Sequence, residues 1–209
     1  MMTDTQYSDY VEAWADKNST LRSYRVCIAA LLAGLSKPNR VLDFGCGTGH
    51  STLMLASGIR NVVGLEPNNE LLQKARVRCK DNPAVKFVSY LYEIDGTFDA
   101  ILLHHVLPHI TSVDVTLSYL VEHLRHGGSM VVGVPNFNYG KKWFRSHKGD
   151  PTIVNKFSLS EWDHIFYEVG DRMGRRAFLT FSSTYGPEKF NFRTWRYESP
   201  YIVFKVMFK

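Results

Sequence analysis

The sequence predicts an α/β domain built on a mostly parallel sheet. Short apolar segments alternate with segments of helical spacing along most of the chain, a pattern typical of parallel strands connected by helices. The segment at 98–103 is apolar along its whole length, as strands covered by helices on both faces are. The last two apolar segments have no helix between them, so we expect them to pair as an antiparallel hairpin at the sheet edge.

In chain order, the apolar segments predict seven strands, at residues 41–44, 61–65, 85–89, 98–103, 129–134, 177–182 and 201–208. Helical spacing predicts six helices, at residues 7–16, 20–35, 51–57, 68–80, 113–124 and 158–169. Ser158 and Glu161 have the spacing of a capping box for the last helix. We expect a turn at His126-Gly127-Gly128 and an irregular, aromatic and basic segment over residues 135–157.

Composition excludes several classes of protein. The chain has 209 residues, 44% hydrophobic and 22% charged, which fits one globular domain and is too apolar for a disordered chain. Its longest uncharged apolar run, 26–35, is shorter than the roughly 20 residues of a membrane span. Early acids and the lack of an apolar segment at the start predict that there is no signal peptide. Three cysteines without CxxC spacing argue against disulfides or zinc and favour a cytoplasmic protein.

One glycine-rich segment carries the chemistry. Asp43-Phe44-Gly45-Cys46-Gly47-Thr48-Gly49 lies between a predicted strand and a predicted helix. Glycines there allow a sharp turn and the close approach of a ligand, and the following helix presents free N–H groups. Glu66 ends the next predicted strand, where an acid can accept hydrogen bonds from both hydroxyls of a ribose. Together these features favour a nucleoside site over a purely structural turn.

The same segment indicates which kind of nucleoside binds. Its glycine spacing departs from the GxGxxG of nicotinamide and flavin sites, whose third glycine allows close helix packing around a pyrophosphate. Asp43 stands just before the glycines, and a carboxylate there would repel a pyrophosphate. The segment therefore suits a cationic or amine-bearing ligand.

At these residues the sequence resembles the class I S-adenosylmethionine-dependent methyltransferases. VLDFGCGTG resembles their first motif and GLEPN their ribose-binding strand end. FDAILLHHVLPHI resembles the fourth strand with its active-site tip, and LRHGGSMVVGV the turn and fifth strand. The resemblance covers about residues 20–135, and the predicted terminal hairpin extends it to the end. It implies a Rossmann-like three-layer sandwich on a seven-stranded, mostly parallel sheet with a reversed last hairpin.

The resemblance also implies an organisation and a cofactor. We expect a single domain over 1–209, with N-terminal helices or a lid at 1–36, a cofactor-binding core at 37–135 and an acceptor side at 136–209. The cofactor is S-adenosylmethionine, the product S-adenosylhomocysteine, and no metal is expected. The family usually has an acid after the third strand, where this chain has Ser89-Tyr90-Leu91-Tyr92, so an aromatic ring could stack on the adenine there. The expected cofactor-binding residues are Asp43, Gly45, Cys46, Gly47, Gly49, Glu66, Pro67, Tyr90, Leu91 and His104.

Three histidines at and beyond the fourth strand's tip are the catalytic candidates. Open α/β sheets bind ligands there, and a neutral imidazole can take a proton near pH 7. His105 ranks first, His104 second and His109 third, because His109 resembles a family position that is often a histidine for structural reasons. The alternative is that one ring packs beneath the cofactor and another hydrogen-bonds the backbone.

The acceptor side is predicted from aromatic and basic residues. Tyr10 and Trp14, with Tyr7, lie on the N-terminal helix, which often forms a lid in this family; the alternative is that they only cover the core. The net charge of +5 is uneven, at −1 over residues 1–135 and +6 over 136–209, and such an excess can mark an anionic partner. The expected acceptor-binding residues in the basic part are Asn136, Tyr139, Lys141, Arg145 and Arg176, with Arg172, Arg175 and Arg193 as further members of an anion clamp.

Three functions remain open on the sequence. The first is O-methylation of a small anionic acceptor such as a carboxylate, phosphate or phosphonate, without a membrane partner. The second is methylation of RNA through the Lys141-Lys142-Trp143-Phe144-Arg145 patch, although His104-His105-Val106-Leu107 replaces the Asn/Asp-Pro-Pro-aromatic tetrapeptide of amine-methylating nucleic-acid enzymes. The third is a non-catalytic module that binds the cofactor but moves no methyl group.

Overall fold

The computed structural model describes residues 3–33, 35, 38–135, 152–183, 190–191, 196–197 and 201–209. Helices α1 to α6 are Asp4–Ala15, Asn18–Leu32, His50–Ala56, Asn69–Cys79, Val113–Glu122 and Leu159–Arg172. Strands β1 to β9 are Arg40–Phe44, Asn61–Leu65, Val85–Val88, Phe98–His104, Leu124–Pro135, Ala177–Ser183, Phe190–Asn191, Arg196–Tyr197 and Tyr201–Phe208. Short 3-10 helices, Leu91–Glu93 and Leu107–His109, follow β3 and β4.

Seven strands form the main sheet, in the order β3-β2-β1-β4-β5-β9-β6. The strands from β3 to β5 run parallel to their neighbours, whereas β9 is antiparallel to both β5 and β6. The chain moves outward from β1 to β3 and then returns to place β4 on the other side of β1. Open α/β sheets bind ligands at the carboxyl ends of strands beside such a switch point, which here lies between β1 and β4.

The predicted topology is confirmed. The sheet has seven strands, and β6 and β9 pair as antiparallel neighbours with β6 at the edge. The expected turn at His126-Gly127-Gly128 is instead an irregular part of β5, which begins at Leu124. Phe98 pairs with Leu124 but Ala100 pairs with Ser129, so these residues are absorbed as a bulge, with Gly127 at a φ of 77°. The two-stranded ladder of β7 and β8 is an addition that the sequence did not predict.

Helices cover both faces of the sheet, which confirms the three layers. On one face, Cys27 and Leu31 of α2 and Leu55 of α3 pack against β1, β4 and β5. On the other face, Leu117 of α5 and Trp162 of α6 pack against the opposite side of the same strands. The alternation follows from the strand pleat, because successive side chains point to opposite faces. The capping box of α6 is also present, since Ser158 and Glu161 bond each other's backbone N–H groups.

Membrane-spanning helices were sought in the part of the chain that the structure describes. None of its helices combines the length and the apolar character that crossing a bilayer requires.

Candidate active site

The glycine-rich segment leaves β1 in a tight turn held by the neighbouring strand. The backbone N–H groups of Gly45 and Cys46 both donate to the Leu65 carbonyl, at 2.8 and 2.9 Å. Gly45 has a φ of 73°, and a Cβ built on it would lie only 2.3 Å from Cγ2 of Val106. A side chain at this position would therefore be both strained and in collision, so the turn requires glycine here.

Glu66 closes the other side of this turn. Its Oε2 accepts a hydrogen bond from the Gly47 N–H at 3.0 Å, and its Oε1 accepts one from the Asn68 N–H at 2.9 Å. The side chain is 8% exposed, and burial raises the pKa of its carboxyl while the two backbone bonds oppose that rise. Each oxygen keeps a lone pair for a further donor, which fits the predicted grip on two ribose hydroxyls.

Asp43 lies beneath the turn, almost fully buried. Its Oδ2 accepts hydrogen bonds from Ser51 Oγ at 2.7 Å and Thr52 Oγ1 at 2.6 Å. Burial raises the pKa of Asp43 to about 6, against the lowering effect of these two hydroxyls. A buried carboxylate without a positive partner is destabilising, so the position suits a cationic ligand group. Residues 43–49 and Glu66 are called the loop wall below.

Four rings from three elements form the opposite side of the switch point. Trp14 comes from α1, Tyr24 from α2, His104 ends β4 and His105 follows it. The centre of the His104 ring lies 4.3 Å from that of Tyr24 and 4.5 Å from that of His105, and the His105 ring lies 4.9 Å from Trp14. These four residues are called the aromatic wall below.

His104 is buried and held by one hydrogen bond. Its Nε2 lies 2.7 Å from Ser23 Oγ on α2, while its buried Nδ1 has no partner among the described residues. Burial lowers the pKa of His104 to about 3, so the ring is neutral at physiological pH. A neutral imidazole carries one N–H and one bare nitrogen, and the Ser23 contact decides between them.

His105 has an unusual backbone. Its φ is 60°, the only positive value at a non-glycine position among the described residues. Its N–H donates to the Gly133 carbonyl at 2.8 Å, which fixes the end of β4 against β5. Strained backbones of this kind concentrate at functional sites, which agrees with the first rank of His105 among the candidates.

The two walls are in contact. Val106, directly after His105, packs against Gly45, and the Tyr24 ring stacks with His50 at the start of α3 with ring centres 6.4 Å apart. Burial, together with the Asp43 charge, raises the pKa of Tyr24 above its usual range. The loop wall and the aromatic wall therefore meet at the switch point between β1 and β4, where open α/β sheets form a ligand-binding crevice.

Helix α1 lies over this crevice. Val11 approaches Gly47, and Trp14 contacts His105, whereas Tyr10 is 48% exposed. Four polar contacts hold the helix down, and they recur along one face of α1. They are Thr5–Glu70 at 2.9 Å, Asp9–Lys74 at 2.8 Å, Glu12–Arg78, and Asp16–His50 at 2.8 Å.

The carboxylates of Glu12 and Asp16 and the His50 ring come within 4.8 Å of one another, close enough to be considered as metal ligands. Glu12 is paired with Arg78, however, and Asp16 is bonded to His50. A guanidinium beside the group opposes a second cation. The arrangement is an ion-pair network that attaches α1 to α3 and α4.

The remaining cofactor candidates follow the carboxyl ends of β1, β2 and β3. Leu91 begins a 3-10 helix, packs against the core and accepts a hydrogen bond from Tyr119 through its carbonyl. Tyr90 is 51% exposed and stacks on Tyr92 with ring centres 5.3 Å apart. Pro67 is exposed beside Glu66. Cys46 and Gly49 are buried inside the loop wall.

His109 stays a prediction of the third rank, whereas the expectation for Arg176 is corrected. His109 is exposed and its Nδ1 is bonded to Thr152, and the ring contacts of the aromatic wall do not include it, which supports its structural interpretation. Arg176 lies at the beginning of β6, where its backbone pairs with Lys209, and the next residues align with the beginning of β4. The beginning of β4 lies at the opposite ends of the strands from the crevice, so Arg176 is not brought to the site.

The other predicted clamp residues are used elsewhere or lie outside the described part. Arg175 donates to the carbonyls of Val121 and Leu124, and Arg172 pairs with Asp114. The remaining acceptor-side predictions lie outside the described residues. They are Asn136, Tyr139, Lys141, Lys142, Trp143, Phe144, Arg145 and Arg193.

Sequence reasoning missed the residues that support the two walls. Ser51 and Thr52 hold Asp43, and Ser23 holds His104. The signal available in the sequence was a polar residue at a position where the helix faces the core. Ser23 is a buried polar residue beside Tyr24 on the inward face of a largely apolar helix.

Comparisons with known proteins agree with this geometry. A family model described as a methyltransferase domain matches residues 19–172. A trans-aconitate 2-methyltransferase of Deinococcus radiodurans is 34% identical over 99 residues, 46% of this chain and 38% of that protein. A demethylmenaquinone methyltransferase of Tropheryma whipplei is 31% identical over 112 residues, 50% of this chain and 45% of that protein. These matches span less than half the length of either relative.

Among solved structures, the plantazolicin methyltransferase BamL, in complex with a desmethyl analogue and S-adenosylhomocysteine, superposes with a TM-score of 0.72. The superposition covers 99% of this chain and 91% of that one, at 13% sequence identity. At that identity the likeness establishes the fold and leaves the acceptor open.

Proposed function

This chain belongs to the methyltransferase-domain family, with the class I fold of the S-adenosylmethionine-dependent enzymes, and we propose that it moves a methyl group from S-adenosylmethionine to an oxygen of a small anionic acceptor. The observation that carries the cofactor assignment is the position of Glu66. Its buried carboxylate is bonded to the N–H of Gly47, so the ribose acid and the glycine turn form one unit. A structural turn alone would not need a buried acid beside it.

The residues present fit this cofactor. Glu66 would hold the ribose, and the buried Asp43 carboxylate would face the positive amino-acid end. The space beside Gly47, where the first neighbour of an added Cβ is Val11 at 3.8 Å, allows close approach to the backbone. When bound, S-adenosylmethionine supplies a methyl group that its sulfonium has already activated.

The chain's own contribution is then positional. Methyl transfer requires the acceptor oxygen, the methyl carbon and the sulfur to be in line, and rigid walls on both sides of the crevice favour that alignment. In our proposal, His105 faces the acceptor from the aromatic wall and accepts its proton when the acceptor is a hydroxyl. A carboxylate acceptor needs no base, and His105 would then only orient it. Helix α1 excludes water through Val11 and Trp14.

Two observations support an anionic acceptor. The basic excess of the chain lies in residues 136–209, and in our proposal its Lys141, Lys142 and Arg145, which follow β5 in the sequence, belong to the acceptor side. One relative is named for trans-aconitate, a carboxylic acid. The other relative is named for demethylmenaquinone, which has no carboxylate, so the acceptor must be tested directly.

The test is a transfer assay with S-adenosylmethionine labelled in its methyl group. The acceptors are a panel of carboxylic acids that includes trans-aconitate, with phosphonates, phenols, amines and RNA. We expect label on an acid, released by mild alkali as methyl esters are. His105→Ala should lower turnover on a hydroxyl acceptor without changing the affinity for S-adenosylhomocysteine, and exposed His126→Ala serves as its control.

Other results would select the alternative functions. Label on RNA, with binding that weakens steeply as salt rises, would make the protein an RNA methyltransferase. Calorimetric binding of S-adenosylhomocysteine without transfer to any acceptor would favour the non-catalytic module. Failure to bind S-adenosylhomocysteine would reject the cofactor assignment itself.

We further propose that the protein acts in the cytoplasm. Cys27, Cys46 and Cys79 are all buried and unpaired, as expected in a reducing compartment. Treatment with a mild oxidant should therefore leave the number of free thiols unchanged unless the fold opens. A disulfide formed in the native protein would contradict this location.

A further inference from the structure

We propose that Ser23 is a positioning residue that makes His104 a hydrogen-bond donor, through Nδ1, to a carboxylate oxygen of the bound ligands. The proposal rests on the proposed function, because both S-adenosylmethionine and the suggested acceptors carry carboxylates. It concerns two residues 81 positions apart that the fold brings to 2.7 Å. Three features of the His104 ring support it: the direction of its Ser23 hydrogen bond, the direction in which Nδ1 faces, and the kind of group that Nδ1 requires.

The first feature is the direction of the hydrogen bond between Ser23 and His104. Its O–H needs an acceptor, and the partner that the structure gives it among the described residues is Nε2 of His104. The neutral ring has one bare nitrogen to accept with. If Ser23 donates to Nε2, then the single ring proton is on Nδ1. Removing the hydroxyl would release the ring to the Nε2–H form that an unconstrained neutral imidazole side chain prefers.

The second feature is the orientation of the His104 ring. A Cβ built on Gly133 of β5 would lie 3.2 Å from Cδ2 of His104, so the Cδ2 edge of the ring faces β5. Nδ1 is attached to the same ring carbon as Cδ2 but on the other edge. That edge therefore faces away from β5, on the side of β1 and the loop wall, because β4 lies between these two strands.

The third feature is the missing hydrogen-bond partner of His104 Nδ1. Nδ1 is buried and has no partner among the described residues, and a buried N–H without an acceptor is destabilising. Among the described residues, the rings of Tyr24, His105 and Trp14 lie beside that of His104, and Asp43 accepts two hydroxyl bonds at its Oδ2. A ligand carboxylate would accept the Nδ1 proton without adding a second proton donor to the crevice. Such a role differs from general-base catalysis, for which Nδ1 would have to be bare.

The tautomer can be read directly. Ligand-free protein labelled with ¹⁵N-histidine should show the His104 ring protonated on Nδ1, with the signals assigned by their loss in His104→Gln. Ser23→Ala should move the proton to Nε2, and Ser23→Thr, which restores a hydroxyl, should keep it on Nδ1. Ser118→Ala is the control, because that hydroxyl bonds a carbonyl of its own helix. Wild-type protein with Nε2–H, or a Ser23→Ala tautomer equal to wild type, would overturn the proposal.

Binding and turnover then identify which carboxylate is recognised. If it belongs to the acceptor, Ser23→Ala should raise the KM about tenfold for the carboxylic acid that the transfer assay identifies. The affinity for S-adenosylhomocysteine should then stay within twofold of wild type. If it belongs to the cofactor, the affinity for S-adenosylhomocysteine should fall about tenfold instead. A flipped tautomer with neither change would reject the contact. The tautomer measurement remains decisive even when no acceptor is found, so its failure is distinct from failure of the proposed function.

Discussion

The loop wall and the aromatic wall enclose the same crevice but are assembled in different ways. The loop wall comes from consecutive residues and their neighbour strand, and most of its contacts involve the main chain, such as Gly45 and Cys46 on Leu65 and Gly47 on Glu66. The aromatic wall joins side chains from α1, α2 and β4, held by ring contacts and a hydrogen bond between Ser23 and His104. A main-chain contact can form whichever side chains its residues carry. A contact between two side chains, in contrast, depends on the identity of both residues.

This difference implies a division of labour. A wall fixed by the backbone can serve one constant ligand, which fits a cofactor that many enzymes share. A wall of side chains can change by substitution without disturbing the fold, which fits an acceptor that differs between relatives. Substitutions on either wall test this division.

Gly45→Ala should damage the loop wall most severely. The new Cβ would meet Val106 at 2.3 Å in a backbone with a φ of 73°, so we expect a loss of roughly 2–4 kcal/mol in unfolding free energy from overpacking and strain together. Gly47→Ala, with open space at 3.8 Å, should show the strain alone, about 1 kcal/mol. Denaturant unfolding measures both. Equal losses would show that the Val106 contact is unimportant, and Val106→Ala should partly rescue only Gly45→Ala.

Glu66→Ala should weaken binding of S-adenosylhomocysteine by roughly 1.5–3 kcal/mol, the range for losing hydrogen bonds to a charged group. Isothermal calorimetry measures this change, and exposed Glu168→Ala is the control. Glu66→Gln should retain part of the affinity, because its amide oxygen can still accept from Gly47. Unchanged affinity in Glu66→Ala would mean that the ribose is held elsewhere.

Asp43→Asn should separate stability from binding. The folded-state pKa of Asp43, about 6, lies above its unfolded value, so its contribution to stability is full at low pH and is lost as pH rises through about 6. At pH 7.5 the ligand-free variant should be more stable than wild type by up to about 3 kcal/mol, at 1.36 kcal/mol per pKa unit. This advantage should shrink by pH 5, while affinity for S-adenosylhomocysteine falls at pH 7.5. Stability that rises equally at both pH values would contradict the burial argument.

His105→Gly and His105→Ala should differ on the aromatic wall by about 1 kcal/mol in unfolding free energy. Both remove the ring, but only glycine relieves the strain of a φ of 60°. Thermal unfolding of the pair measures this difference without depending on the acceptor. A glycine variant less stable than the alanine variant would show that the backbone there is unstrained.

Lys74→Ala should have the smallest effect. Its partner Asp9 is largely exposed, and such pairs contribute less than about 1 kcal/mol. Hydrogen exchange of α1 amides should become faster, while affinity for S-adenosylhomocysteine stays within twofold. Exposed Lys80→Ala on the same helix segment is the control. A loss of affinity for S-adenosylhomocysteine would mean that α1 takes part in binding the cofactor.

The loop wall was largely predictable from the sequence, whereas in the aromatic wall the sequence singled out Trp14, His104 and His105 but neither Tyr24 nor the Ser23 contact. Asp43, Gly45, Gly47 and Glu66 are recognisable because a strand, a turn and a helix are adjacent in the chain, so local pattern and spacing define them. Ser23 and His104 are 81 residues apart, and only helix packing on the sheet brings them together. Arg176 was misplaced for a related reason, since its charge carries no information about the sheet edge at which β6 begins.

The boundaries of elements followed the same rule. Apart from the start of β5, the bounds of the main-sheet strands were predicted to within one residue, because a continuous apolar run ends where burial ends. The bulge at His126-Gly127-Gly128 was taken for a turn because glycines there signal both, and only pairing of β5 with β4 distinguishes them.

The position of β9 has a consequence for how the protein is made. A ribosome synthesises β6 before β9, yet β9 lies between β6 and β5 in the finished sheet. Until residues 201–208 emerge, β5 has an open edge and β6 has no strand in the main sheet to pair with, although both already carry apolar side chains. A nascent chain paused in this interval would present unpaired strand edges, which are the surfaces that other chains and chaperones engage.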